Sequence, residues 1–474
     1  MIEPTSINSL PPEILTRIFY ILISEPCQLD PLIFDDERPA EYSRYPGCLT
    51  QVCTLWRKIA ISSRLLWCHI DLSPNSPYVD DLVARADAHL ACAGELPIEL
   101  HIAVDSRDAH TLEYEESYRL ISLVSGRVTN LELAMQGPFR LYHRDILGLC
   151  FRHRPALTKL VLRSEAGYSN NFLVADSFDT TMTVDFWLLE LDCTEEDIES
   201  CFAHITVLHL RGVFPIWSSN AYHGLVDLRL LSTGTWSDIR EAELIIILQS
   251  SPGLRIVHFG LEIRDETPAT QQVTLVNLPD LQFVNIFPDI DVTTRITISP
   301  GSLLRLLAPG TKPLQLSFEG FYLQDGGTLT EVERFFARSQ VTQFYTRSVL
   351  PPPNLLLSYS AHLERVILDY FDSVSQDLLL LSWLNVNKSA SLPRLKSLHI
   401  TNSALLDHDL RVLLKYCPDG IVLDSCKVER NISRNDYCLS KFSATELLEI
   451  FPTIKVINHA VSEQEILNSN WDPC

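Results

Sequence analysis

Glycine is scarce in this chain, 17 of 474 residues, and no phosphate-cradling G-x-x-x-x-G-K occurs. G-x-S-x-G and H-E-x-x-H are missing too, which removes the usual signatures of a nucleophilic hydrolase and a zinc peptidase. No run of eighteen apolar residues exists, so a membrane-spanning helix is not expected. The first residues lack the basic stretch and apolar core of a secretory signal, and Cys474 in last place leaves no prenylation box. Twelve cysteines are scattered without a C-x-x-C pair. Cys53, Cys150, Cys201 and Cys417 fall in apolar, helix-like patterns and read as reduced core residues. The triplets Asn387-Lys388-Ser389 and Asn431-Ile432-Ser433 match a glycosylation sequon, which matters only on a secreted chain. Positive charge is also short. Against 60 Asp and Glu stand 38 Lys and Arg, a net charge of -22, which repels nucleic-acid phosphates and anionic lipid surfaces. The expectation is a cytoplasmic or nuclear binding protein: not an enzyme, with no cofactor or metal, and with neither nucleic acid nor membrane as partner. His204 and His209, five apart across a strand, would face opposite sides, which makes them poor candidates for a shared metal.

What is present begins at the front. Pro11 and Pro12 suit a first helical turn, and Ile14, Leu15, Ile18, Phe19 and Leu22 recur at three- and four-residue spacing. A second stripe runs through Leu49, Val52, Cys53, Trp56, Ile59 and Ala60, and a third segment ends in Leu65, Leu66 and Trp67. So short a unit cannot enclose this much apolar surface by itself, and the expectation is that side chains including Phe19 and Trp56 stay uncovered by the chain's own residues. Between 24 and 46 lies an insertion with Glu25, Asp30, Asp35, Asp36, Glu37 and Glu41 against Arg38 and Arg44, read as a solvated loop. Its length costs little, about 0.6 kcal/mol per doubling.

The order Leu10-Pro11, Glu13-Ile14-Leu15, Ile18-Phe19, Val52-Cys53, Trp56-Arg57, Ile59-Ala60, Leu66-Trp67 and Ile70-Asp71-Leu72 resembles an F-box, the module by which F-box proteins dock onto the Skp adaptor of a cullin-based ubiquitin ligase. The resemblance implies that Leu10, Pro11, Ile14, Leu15, Ile18, Phe19, Val52 and Trp56 meet the adaptor. The insertion departs from the short turn of many F-boxes. A cap packed on the rest of the chain, with no foreign partner, is the other reading of the same stripes.

From about residue 96 a pattern recurs: aliphatic, two free positions, aliphatic, one free position, aliphatic. It stands at Val128-Leu131-Leu133, Leu157-Leu160-Leu162, Phe186-Leu189-Leu191, Ile205-Leu208-Leu210, Leu225-Leu228-Leu230, Leu254-Val257-Phe259, Leu281-Val284-Ile286, Leu363-Val366-Leu368 and Leu395-Leu398-Ile400. Weaker copies lie near Leu314-Leu316-Phe318 and Val341-Phe344. Pro155, Pro252, Pro279, Pro393 and Pro452 precede strands by two residues and stop the helix before each. Helices are expected over 241–248, 330–337, 377–384, 407–416 and 443–451, with capping boxes at Thr330/Glu333 and Ser443/Glu446. The arrangement resembles the leucine-rich repeat. The asparagine or cysteine usual after the strand is mostly missing, with Cys426 after Ile421 and Leu423 a faint echo. Fold class is therefore read as α/β, an N-terminal three-helix F-box over 1–73, a connecting helix over 74–95, and an irregular leucine-rich-repeat α/β solenoid over 96–474. A doubly wound α/β domain would need continuous apolar strands and a glycine-rich loop.

Side chains alternate along a strand, so the fifth pattern position faces outward: Glu132, Val161, Glu190, His209, Arg229, His258, Asn285, Ile367 and His399. His209, Arg229 and His258 form the expected contiguous row for an acidic or phosphorylated target segment. Together these readings imply a substrate-recognition subunit of a Skp-cullin-F-box ubiquitin ligase. An F-box protein acting outside the ligase and a self-capped scaffold remain as alternatives.

Overall fold

The computed structural model describes residues 7, 10–23, 46–74, 78–105, 115–136, 141–164, 171–176, 187–233, 237–268, 273–287, 298–319, 326–347, 351, 353–359, 362–371, 395–417, 420–431 and 439–457. The acidic insertion, the helix expected over 377–384 and Pro393 lie outside them. Two compact units divide the chain, Met1–Ser251 with Asp289–Ile296, and Pro252–Pro288 with Thr297–Cys474.

The first unit opens with α1 (Pro12–Ile23), α2 (Leu49–Val52) and α3 (Thr54–Ser62), then a 3-10 turn over Arg64–Trp67. Pro12 stands at the start of α1, where no backbone donor is lost. The chain then alternates strand and helix through β1 (His69–Leu72), α4 (Val79–Ala93), β2 (Ile98–Asp105), α5 (Glu115–Val124), β3 (Val128–Gln136), α6 (Leu141–Arg152) and β4 (Lys159–Ser164). After β5 (Asn171–Ala175) and β6 (Trp187–Leu191) come α7 (Glu195–Phe202), β7 (Val207–Arg211), β8 (Val213–Pro215), β9 (Asp227–Leu231), β10 (Asp238–Arg240) and α8 (Glu241–Ser250). A parallel ladder runs in the order β1-β2-β3-β4-β7-β9. Its inward residues are the pattern aliphatics, with Leu131, Leu133, Leu160, Leu162, Leu208, Leu210, Leu228 and Leu230 all buried.

In the second unit β11 (Ile256–Gly260), β12 (Glu262–Arg264), β13 (Val276–Leu278), β14 (Phe283–Ile286), α9 (Pro300–Leu304), β15 (Leu307–Pro309) and β16 (Leu314–Glu319) come first. Next are α10 (Gly326–Arg338), β17 (Val341–Arg347), α11 (Pro353–Ser358), β18 (Arg365–Asp369), β19 (Leu398–Thr401), β20 (Ala404–Leu406) and α12 (Asp407–Leu414). The described chain ends with β21 (Ile421–Asp424), β22 (Lys427–Asn431), β23 (Leu439–Lys441), α13 (Ala444–Ile450) and β24 (Lys455–Ile457). Here the parallel order is β11-β14-β16-β17-β18-β19-β21-β24.

A corner follows many of these strands. Tyr370, Asn402 and Ser425, directly after β18, β19 and β21, have φ of 48°, 48° and 52°, and Gly212 after β7 has 71°. The left-handed residue turns the chain into a second, shorter strand, as in β7–Gly212–β8 and β19–Asn402–β20, before the next helix. At Gly212 a Cβ would stand 2.8 Å from Thr233 Cγ2 and 3.1 Å from Ser164 O, so only glycine fits.

Four sequence expectations change. The ladder starts one rung early, because Ile70-Asp71-Leu72 lies in β1 and pairs with β2. The copy at Phe186-Leu189-Leu191 is no rung: β6 joins the side sheet β6-β5-β8, while β4 pairs directly with β7. That copy leads straight into α7, as β20 leads into α12, so it occupies the second-strand place of a unit. Helix α10 begins at Gly326, which puts Thr330 and Glu333 inside it; Thr328, near its start, is buried and meets Ser299 Oγ at 3.1 Å. The Ser443/Glu446 capping box is present as expected. Lastly, the outward face is partly covered, since Val161, Ile367, Ser317 and Tyr345 are all buried.

Candidate docking surface and strand-face polar networks

Helix α1 is apolar on two sides. Leu15 and Phe19, one turn apart, are fully buried, and the Phe19 ring lies 4.9 Å from that of Trp56 on α3. The other side carries Ile14, Ile18, Ile21 and Leu22, at the spacing that shares one helix face; Ile14, Ile21 and Leu22 are 45%, 63% and 52% exposed. Pro11 is exposed, and Leu10 and Ile18 are half-buried. In the neighbouring helices Leu49, Ile59 and Ala60 turn inward while Val52 is 58% exposed, and Leu55 and Ile61 are exposed as well. In the 3-10 turn Leu66 and Trp67 are buried and Leu65 is 61% exposed. Trp67 Nε1 donates to Ala60 O at 2.8 Å, which fixes the turn to α3.

The eight residues expected at an adaptor interface therefore divide. Pro11, Ile14 and Val52 lie on the surface, Leu10, Ile18 and Trp56 are half-buried, and Leu15 and Phe19 belong to the core. The expectation that Phe19 stays uncovered is thus corrected: its ring closes against Trp56, which itself is only half-buried. Sequence reasoning passed over Ile21, Leu55 and Ile61, and named Leu65 only as part of the third apolar segment, although the unbroken apolar run after Tyr20 already left more aliphatics than one buried side can take.

On the ladder His209 and Arg229 face each other across β7 and β9, as expected. Arg229 is not available as a receptor fork, however. Its Nε and Nη2 donate to Asp227 Oδ1 and Oδ2 at 3.1 and 3.0 Å, and His209 Nε2 meets Asp227 Oδ2 at 3.0 Å. Burial would raise the Asp227 carboxyl, but His209 and Arg229 outweigh it and bring it down to about 2. Burial lowers His209 below the usual imidazole value. His209 Nε2 and the Arg229 guanidinium thus both face the Asp227 carboxylate. His258 belongs to the second unit, where it pairs with Asn285.

A second network occupies the first rungs. Register sets Asp71 beside His101 and His101 beside Glu132, with His69 beside Glu99. Asp71 Oδ1 is 2.7 Å from His69 Nε2 and 3.5 Å from His101 Nδ1. The far nitrogens meet carboxylates: His69 Nδ1 is 3.5 Å from Glu99 Oε2, and His101 Nε2 is 3.4 Å from Glu132 Oε1. Burial raises Glu132, but His101 and Arg163 outweigh it and hold it at about 2. Glu99 is lowered first by its bond to His69. Among the described residues, His69, Asp71 and His101 are the group whose donor atoms could converge on a metal ion.

Burial pushes the thiols of Cys150 and Cys201 up to about 12, which suppresses thiolate. The cavity between β5, α7 and β8, lined by Leu173, Ile198, Phe202 and Pro215, is about 20 Å³, room for a water and far below a substrate pocket. Among the described residues no helix is long and apolar enough to cross a membrane. No family model matches the chain, and no curated protein matches it.

Proposed function

We propose that the N-terminal helices form an F-box that binds the Skp adaptor of a cullin-based ubiquitin ligase, and that the strand-corner-helix units are leucine-rich repeats that hold a target protein. The observation that carries this reading is the second apolar side of α1, Ile14, Ile21 and Leu22, left in water together with Val52. Covering such side chains is worth on the order of 1 kcal/mol each at half exposure, and the residue order is that of an adaptor-binding module. The chain's contribution to chemistry is proximity: it brings target lysines near a conjugating enzyme recruited through the adaptor and cullin, so none of its own residues needs to be nucleophilic.

Co-expression with the adaptor tests the reading. The wild-type chain should co-purify with it, and Ile14→Asp with Val52→Asp should lose it, because both changes are at exposed positions and leave the core intact. A well-folded wild-type chain that elutes without adaptor sinks the F-box assignment. Adaptor bound without cullin removes only the ligase part.

A further inference from the structure

We propose that His69, Asp71 and His101 bind a divalent ion of the zinc class where the helices join the strand ladder. The argument begins with register. On β1 the outward residues are His69 and Asp71, and on β2 they are Glu99 and His101, each pair two apart on one strand and opposite the other pair. Strand alternation therefore brings two imidazoles and three carboxylates, Glu132 included, onto one face within three rungs.

The distances suit coordination. A four-coordinate zinc with bonds of about 2.0–2.1 Å sets its donors about 3.3 Å apart. Asp71 Oδ1 is 2.7 and 3.5 Å from the near imidazole nitrogens, and all three donor atoms lie within 4.8 Å of one another. Asp71 and His101 are buried, with side chains 3% and 5% exposed, whereas His69 at 31% leaves a solvent side for entry and for a water as fourth ligand.

The surroundings supply the support that metal imidazoles need. Zinc-bound histidines characteristically direct the other ring nitrogen at a carboxylate, which fixes the tautomer and strengthens the ligand. A carboxylate stands near each far nitrogen here, Glu99 Oε2 at 3.5 Å from His69 Nδ1 and Glu132 Oε1 at 3.4 Å from His101 Nε2. A bound ion would displace the present 2.7 Å hydrogen bond between His69 Nε2 and Asp71 Oδ1. Arg85 Nη2 stands 3.5 Å from Asp71 Oδ2, and so steers the carboxylate with Oδ1 toward the rings. Arg163 Nη2 stands 3.4 Å from Glu132 Oε1, the oxygen that also faces His101. The ion would bridge β1, which continues directly from the helical segment, to β2.

The test uses the full-length chain and zinc or cobalt chloride. Calorimetry should show one zinc per chain, and cobalt should give the visible bands of a tetrahedral nitrogen-oxygen site without a thiolate charge-transfer band. His69→Ala, His101→Ala and Asp71→Asn should each weaken uptake by about 100-fold or more, and Glu99→Gln or Glu132→Gln by about 10- to 100-fold. Because His69 is the most exposed ligand, its replacement keeps the test alive if the buried variants fail to fold. Absence of saturable zinc uptake, uptake unchanged in His69→Ala, or a thiolate band pointing to cysteine ligation would each overturn the site.

Discussion

The helices before β1 and the strand ladder after it dispose of their aliphatic side chains in opposite ways. Along the ladder the pattern aliphatics turn inward, and much of the outward face is polar and held by its own ion pairs, as around Asp227, with the outward Val161 and Ile367 buried. Along α1 Leu15 and Phe19 are fully covered and Ile18 is half-buried, while Ile14, Ile21 and Leu22 are exposed. A strand has two faces and a period of two, so one apolar face can be fully absorbed by a helix layer. A short helix whose apolar face, opposite Glu13, Thr16 and Arg17, is wider than its neighbours can cover has no such outlet. The comparison teaches that exposure at the front is a property of pattern, not of hydrophobic content.

The sharpest way to break this contrast is to exchange a covered for an uncovered residue on the same helix. Phe19→Ala should cost about 3–5 kcal/mol in a urea titration, whereas Ile21→Ala should stay within about 0.5 kcal/mol of wild type. Equal losses would mean that the outer side of α1 is covered after all.

A smaller effect probes whether the ladder's polar face is closed upon itself. The folded Asp227 carboxyl lies at about 2 against an ordinary 3.8, so its stabilisation is present above about pH 3.8 and is lost as pH falls through 2. That shift corresponds to about 2 kcal/mol. Burial of His209 acts in the same direction at higher pH: its lowered value means stability held above the unfolded value near 6.5 and lost below it. Comparing urea midpoints at pH 7 and pH 2.5, wild type should lose about 2 kcal/mol more than Asp227→Asn. Parallel losses would leave the triad without a stabilising role.

The least effect lies at the far end. Ser443 accepts from Glu446 N at 3.3 Å and its own N–H donates to Glu446 Oε2 at 2.8 Å. Ser443→Ala should cost about 1 kcal/mol by thermal melting and leave the N-terminal surface unchanged.

Much of the fold was legible because strand alternation and helix stops act over a few residues. Leu131-Leu133 through Leu398-Ile400 mark real rungs, and Ser443 marks a real helix start. What local pattern could not decide was which strand a segment joins: β6 carries a full copy of the motif yet pairs with β5, since pairing depends on what lies across from it. The candidate sites were half legible for the same reason. Periodicity found the apolar stripe of α1 but not the division of Leu15 and Phe19 from Ile14 and Ile21, which Trp56 decides. Arg229 was found in its row, but Asp227, two residues before it on the same strand face, was not weighed. His69 and His101 went unremarked, and Asp71 was read only as part of Ile70-Asp71-Leu72, because β1 was not counted as a rung; H-x-D facing E-x-H becomes visible only once two strands are registered.

That β1 is at once the continuation of the helical segment and the first rung has a mechanical consequence. Neighbouring strands are about 4.8 Å apart, so a body gripped at the front and another resting on β9, five spacings away, would be separated by about 24 Å of hydrogen-bonded backbone. Their separation is governed by a ruler instead of a leash. Removing a rung should shorten the reach by one fixed increment, whereas trimming a loose tether would merely alter how often the two ends meet.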